Sequence, residues 1–406
     1  IVFTIILVIM KFITVNFTFI FLYFNFYSQC NGRYETEIFP NVSVNTVYYS
    51  DTFFDYRHQM DVYTPIGDTV TNRPVIIYLH GGAFMTGDKS AADCIDFCTS
   101  FAKKGYVAIS ANYRLATNPF FITFFQDVQY RTLLQAIADI KAAIRYVRKD
   151  YANGNLLGID PDVIFVGGYS AGAVLSIHLA YVDNISDLPT SPVDVQALVS
   201  DIGGTLEGDS GNNGYSSNVS AIVSFTGGIN NLSFIDPTDE PIVLVHGTND
   251  NIVNYNCGPG LGFGSVMNLC GMNEMKPVLE NNGILNDTMV FENVDHYWPL
   301  NGNADTLFIG AVEFTTNFLF PLLPCNNSTA NIKELDDFVD QYPNPAKYFV
   351  SYKSSKIIKE IIIYNKFGQV NSRFNVNDKE YEVSLSKFRK GIYLSLIHIS
   401  EPTRPN

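Results

Sequence analysis

Asp162-Val-Ile-Phe-Val-Gly-Gly-Tyr-Ser-Ala-Gly-Ala173 is the stretch on which the reading of this chain turns. Val163 to Val166 has the apolar, β-branched and aromatic composition of a strand buried on both faces. Two glycines then lead into Ser170 and the alanine-rich run Ala171 to Tyr181, which reads as a helix. A serine on so abrupt a strand-to-helix turn has its hydroxyl held out above the sheet. The turn closes only if the residues two before and two after it are very small, and Gly168 and Gly172 meet that demand. G-x-S-x-G alone is a loose pattern that an ordinary glycine-rich loop also satisfies. It predicts a nucleophile only if the rest of the chain supplies a base, an acid and oxyanion donors.

The same alternation of apolar runs and helical periods surrounds this stretch. Val44 to Tyr49 and His58 to Tyr63 read as an antiparallel opening pair. Pro74 to Leu79, Tyr106 to Ser110, Ala221 to Phe225, Pro241 to His246 and Asp287 to Asn293 read as buried strands, which with the elbow strand makes eight. Leu133, Leu134, Ile137, Ile140, Ile144 and Val147 recur at helical spacing within Tyr130 to Tyr151, and Thr306 to Phe320 is a closing helix. This order predicts an α/β fold with right-handed crossovers and an eight-stranded, mostly parallel sheet. The Gly-, Ser- and Asn-rich segment Ser200 to Asn218 reads as a loop or a mobile cap. Phe120, Phe121, Phe124 and Phe125 form a run that either lines an acyl pocket or packs in the core or at a lid edge.

The chain has 406 residues and a formal net charge of -14, which disfavours nucleic acid and anionic membrane surfaces as partners. Its first 27 residues are almost wholly apolar and long enough for a membrane span, but Met10-Lys11 followed by a Phe-rich run to Tyr27 and then Ser28-Gln29-Cys30 reads as a secretory signal starting at Met10. Residues 1–29 are therefore assigned to a signal region, with no stable membrane span expected after its removal. The six cysteines fit an oxidising compartment, and Cys257 with Cys270 is the most plausible pair by proximity. No histidine lies near a cysteine at metal-finger spacing, and no metal or cofactor is implied.

A serine needs a base, and position eliminates five of the six histidines. His58 belongs to an early strand, His80 to a glycine loop, His178 to the elbow helix, His246 to a strand end and His398 to the tail. His296 remains, on the loop after the last strand of the sheet. The orienting acid should come from the carboxyl end of a neighbouring strand. Asp250, four residues past His246, fits, although an aspartate there also suits an Asx-turn. Asp295 is the runner-up. His80-Gly-Gly-Ala-Phe84 supplies small residues whose backbone N–H groups can face a substrate oxygen: Gly82 and Ala83, completed by Ala171 after the serine.

Ser170, Asp250 and His296 in that order, with His80-Gly-Gly-Ala-Phe84 and Asn112-Tyr-Arg-Leu115, resemble the α/β-hydrolase fold in its hormone-sensitive-lipase-like, type-B carboxylesterase branch. The resemblance covers residues 31–322 and implies ester hydrolysis through an acyl-enzyme, without cofactor. Many relatives carry Gly where this chain has Ala83. Two alternatives stay open. His246-Gly-Thr-Asn-Asp250 also resembles a segment of prolyl-oligopeptidase-type serine peptidases, though Ala173 stands where those usually carry a glycine. A non-catalytic, hydrolase-like binding module is the other.

Residues 323–341 read as a linker. Beyond it, Tyr342-Pro-Asn-Pro345, Ile363-Tyr-Asn-Lys-Phe-Gly-Gln369 and Lys390-Gly-Ile-Tyr393 resemble the C-terminal sorting domain of the type IX secretion system, which implies a small partial all-β domain over 342–393 and a partner in that machinery. Leu394 to Arg404 resembles a translated sequencing adapter, so residues 394–406 are set apart from the domain. A secreted or surface location follows from the resemblance, with acetyl or feruloyl esters of plant cell-wall polymers as substrates by analogy.

Overall fold

The computed structural model describes residues 30, 32–325, 339–342, 346, 348–365, 370–388 and 393–399. The chain divides into two compact units, residues 1–327 and 328–406. The expected signal region and most of the expected linker lie outside the described residues.

In the first unit the sheet strands are β1 (Val42–Tyr48), β2 (Gln59–Pro65), β3 (Arg73–Leu79), β4 (Val107–Ala111), β5 (Ile159–Tyr169), β6 (Ala221–Phe225) and β7 (Ile242–Gly247). A short hairpin follows, β8 (Cys257–Pro259) with β9 (Asn268–Cys270), and then the last sheet strand, β10 (Asn286–Phe291). The eight-stranded sheet runs β1-β2-β4-β3-β5-β6-β7-β10. β1, β2 and β4 pair antiparallel and every later pairing is parallel. The eight strands are those the apolar runs predict.

The helices are α1 (Ala92–Lys103), α2 (Pro119–Phe124), α3 (Gln126–Ala152), α4 (Ala171–Tyr181), α5 (Val195–Ser200), α6 (Met272–Asn281) and α7 (Thr306–Leu319). They cover both sheet faces, and β3 shows how. Alternate side chains of a strand point to opposite faces, so Val75, Ile77 and Leu79 pack with Leu133, Ile137, Ile140 and Ile144 of α3. Ile76 and Tyr78 pack with Phe97 and Phe101 of α1 and Phe308 of α7. All seven residues of β3 are buried, which explains why its sequence shows no polar alternation.

Two expectations left alternatives open. Of loop and mobile cap, Ser200 to Asn218 takes the loop. Glu207 pairs with Lys141 and Arg145 of α3, Asp209 with Arg114, and Ser210 donates to Asp139, so the segment is tied down along α3. The phenylalanine run does not line a pocket. Ile122 is the buried residue of α2, and the four phenylalanines are exposed. One turn of helix cannot turn all its apolar residues inward.

The Cys257–Cys270 disulfide forms as expected, and Cys30 pairs with Cys325. Cys94 and Cys98 are buried free thiols in α1.

The second unit is all-β, with β11 (Val339–Tyr342), β12 (Phe349–Asn365), β13 (Val370–Ser384) and β14 (Tyr393–Ile399). β12 pairs antiparallel with the other three, and Val350, Tyr352, Ile358, Ile361 and Ile363 of β12 meet Val376 and Val383 of β13 in a small core. β14 crosses position 394, so the structural unit does not stop at the boundary expected at 393.

Candidate active site

The elbow is built as its glycines demand. Ser170 sits at the junction of β5 and α4 with φ 54° and ψ −118°, a conformation an L-residue adopts only under constraint. A Cβ on Gly168 or Gly172 would run into the backbone of Leu79 at the end of β3. The crowding comes from the neighbouring strand, which is why both positions must be bare.

Three of the predicted residues meet there from three separate loops. The Ser170 hydroxyl lies 2.7 Å from His296 Nε2, and His296 Nδ1 lies 2.6 Å from Asp250 Oδ2. All three are buried. Burial alone would raise the Asp250 carboxyl, but hydrogen bonds from His246 and His296 outweigh it and bring the group down to about 2. An ionised carboxylate only accepts. His296 Nδ1 therefore carries the proton, and Nε2 presents a lone pair to the serine hydroxyl.

Asp250 Oδ1 accepts the backbone N–H groups of Ile252 and Val253 at 2.8 and 2.9 Å. The Asx-turn and the imidazole contact, weighed above as rival readings, are made together by the two oxygens of one side chain. Asp295, the runner-up, is exposed and accepts from the N–H of Tyr297 at 2.9 Å. It does not reach His296.

His246 is the residue that sequence reasoning set aside and the fold brings in. Its Nε2 lies 2.9 Å from the Val253 carbonyl and 3.2 Å from Asp250 Oδ2. A carbonyl can only accept, so this nitrogen is an N–H, shared between carbonyl and carboxylate. Elimination by position looks for a base beside the serine and says nothing about a second partner of the acid. The His246-to-Asp250 spacing was the available signal.

The glycine loop after β3 lies beside the serine. Gly82, Ala83 and Phe84 have φ of 115°, 54° and 57°, a run of left-handed backbone. Among the described residues, the N–H groups of Gly82, Ala83 and Ala171 have no protein acceptor within hydrogen-bond distance. His80 keeps to a structural place. Burial lowers it to about 4, so it is neutral; its Nδ1–H meets the Gly81 carbonyl at 2.6 Å, and its ring stacks on Tyr113. Tyr113 donates to the His80 carbonyl at 2.7 Å, Asn112 accepts the Lys89 N–H, and Arg114 pairs with Asp139. The Asn112-to-Leu115 segment thus braces the loop from behind. His178 is in the core of α4, with Nδ1 2.7 Å from the Val174 carbonyl and Nε2 2.9 Å from Asn230.

A cleft of about 640 Å³, its open mouth included, leads to Ser170. Its walls are mostly apolar and include Phe84, Ile122, Leu133, Val174, Leu261 and Leu269. Gln129 of α3 ties two of the walls together. Its Nε2 donates to the carbonyls of Ile122 (2.8 Å) and Ser265 (3.1 Å), and its Oε1 accepts the Met267 N–H (2.9 Å). Leu261, Ser265, Met267 and Leu269 all lie within the disulfide-closed segment Cys257–Cys270.

A buried serine on a strained strand-to-helix turn, with an imidazole and a carboxylate drawn from later strand ends of a mostly parallel sheet, defines an α/β-hydrolase. A BD-FAE family model matches residues 60–261. A secretion system C-terminal sorting domain matches residues 340–403. The sorting domain marks the protein for export, to the cell surface or the medium.

Among curated proteins the chain is similar to gut esterase 1 of Caenorhabditis briggsae, 29% identical over 124 residues, which are 30% of this chain and 21% of that protein. It is also similar to probable carboxylesterase 2 of Arabidopsis thaliana, 34% identical over 118 residues, 28% of this chain and 33% of that one. The matched segment thus spans between a fifth and a third of these relatives. Among solved structures, one described as a truncated form of carbohydrate esterase from gut microbiota has a TM-score of 0.51 at 22% identity, covering 70% of this chain and 96% of that chain. That likeness is one of fold. Among the described residues no helix is long and apolar enough to cross a membrane.

Proposed function

We propose that the chain is an exported serine carboxylesterase. Ser170 Oγ attacks the ester carbonyl as its proton passes to His296 Nε2. Asp250 holds the imidazole in the required tautomer and stabilises the imidazolium that forms. The N–H groups of Gly82, Ala83 and Ala171 receive the oxyanion. The alcohol leaves with the proton from His296, and water, activated by the same imidazole, then releases the acid from Ser170 and regenerates the hydroxyl. The alignment of Ser170, His296 and Asp250 at 2.7 and 2.6 Å carries this reading. The apolar cleft favours esters with an apolar acyl or alcohol part.

The test is a panel of p-nitrophenyl esters of rising chain length, methyl ferulate and an aminoacyl-proline amide, run on the full chain and on Ser170→Ala. Ester turnover should fall by roughly 10⁴-fold or more in the variant. Cleavage of the amide without the esters would instead favour a peptidase. Activity removed by a chelator and restored by a divalent ion would count against the scheme.

A further inference from the structure

Exposed apolar side chains flank the residues that line the cleft. Phe120, Phe121, Phe124 and Phe125 are exposed by 60, 48, 52 and 48%. They belong to the same turn of chain whose Ile122 and Thr123 line the cleft. Their rings touch one another, Phe120 with Phe121 and Phe124, and Phe121 with Phe125. Phe263, 55% exposed, lies on the disulfide-closed segment that the Ser265 hydroxyl ties to the Thr123 carbonyl at 2.8 Å. Exposed apolar side chains therefore stand on two of the segments that wall the cleft.

The segments that frame the mouth also lack charge. No Asp, Glu, Lys or Arg occurs in 80–87, in 115–126 or in 251–273, although the chain as a whole is 16% charged with a net charge of -14. Chance clustering of apolar residues on a soluble surface is usually interrupted by charges, and an unbroken apolar patch beside a site marks what the site meets. Phenylalanine offers no hydrogen bond. Rings that are tilted or edge-on to each other present methine edges in several directions, not one flat platform for a sugar face. An anionic bilayer would repel the molecule. An uncharged apolar phase would not.

We propose that these phenylalanines form an interface-docking rim, which seats the open cleft on the surface of an uncharged, water-insoluble ester phase and lets ester molecules pass directly to Ser170. The inference rests on the esterase reading above and specifies the physical form of its substrate.

Two measurements on the full chain test it separately from that reading. Adsorption to tributyrin droplets is followed by depletion from solution with Ser170→Ala, which requires no turnover. Hydrolysis is followed with active protein as tributyrin is raised through its solubility limit, with dissolved p-nitrophenyl acetate as the reference. The rate should step up on crossing the limit. The combined variant Phe120→Ser, Phe121→Ser, Phe124→Ser, Phe125→Ser should bind droplets on the order of a hundredfold more weakly. Because these side chains are exposed, the same variant should hydrolyse the dissolved ester within about twofold of the parent. A rate curve that saturates below the solubility limit, or a step and adsorption that survive the four substitutions, would overturn the proposal. So would droplet binding that is absent while retention on insoluble xylan is present and lost in the variant, which would assign the rim to a polysaccharide. Failure to hydrolyse even the dissolved ester would sink the esterase reading, and the adsorption result would still decide the rim.

Discussion

At the scale of single residues, the meeting of Ser170, His296 and Asp250 beside the glycine loop was legible because each position is constrained locally: two glycines around Ser170, a histidine after the last strand of the sheet, an aspartate after β7, small residues after β3. His246 was not, because its role depends on the loop Asn251 to Val253 folding back so that one N–H meets both a carbonyl and the Asp250 carboxylate. Asp250 ionises at about 2 in the fold against an ordinary 3.8. A depressed carboxyl contributes stability that is complete above the unfolded value and is lost as pH falls from there through the folded one. This one contributes on the order of 2 kcal/mol. His246→Phe removes one of the two hydrogen bonds that depress it, so acid unfolding, followed by circular dichroism, should begin at higher pH than in the parent. Because His246 touches Asp250 and the Val253 carbonyl but not Ser170 or His296, kcat should fall by about tenfold with KM little changed. An unaltered acid-unfolding profile would show that the His246 contact does not stabilise the carboxylate.

At the scale of elements, strand positions were legible and wall positions were not. Strands buried on both faces announce themselves as unbroken apolar runs, and β3 through β7 did so. The direction a short helix faces depends on what packs against it, and α2, with Ile122 inward, is held by Gln129 of the following helix, which hydrogen-bonds the Ile122 carbonyl and, from the other side, the segment Cys257–Cys270. Gln129 is buried and makes three hydrogen bonds, each to backbone. Gln129→Leu keeps the volume and loses all three, leaving the Met267 N–H and two carbonyls to find other partners. The expected result is a cleft with looser walls: KM for p-nitrophenyl hexanoate should rise by roughly tenfold while KM for the acetate, which needs little of the wall, stays within about twofold. An equal rise for both esters would mean that the substitution disturbs the elbow and not the wall.

At the scale of the whole molecule, a small all-β unit following the α/β unit was legible from the shift in composition past Pro324, and its likeness to a sorting domain came from its motifs, whereas the pairing of Cys30 with Cys325 was not legible, since six cysteines allow many connectivities. That bridge spans 295 residues and joins the two ends of the hydrolase unit, outside its sheet. In the loop-entropy account a closure of that length lies at the upper end of the roughly 2–5 kcal/mol typical of native disulfides. The Cys257–Cys270 bridge closes a separation of only 13 and should contribute less to global stability. The two can therefore be told apart. Cys30→Ser with Cys325→Ser should lower the melting temperature markedly while ester hydrolysis at 25 °C is retained. Cys257→Ser with Cys270→Ser should leave the melting temperature nearer the parent's and act instead on the cleft wall. Dithiothreitol should reproduce the first effect in the parent and add nothing to the first variant. The same logic couples stability to location: a unit with so long a closure gains it only after leaving a reducing compartment, which is the passage that the sorting domain specifies. If the parent melted at the same temperature with and without reductant, the long bridge would not be a source of stability, and the fit between disulfide and export would lose its physical basis.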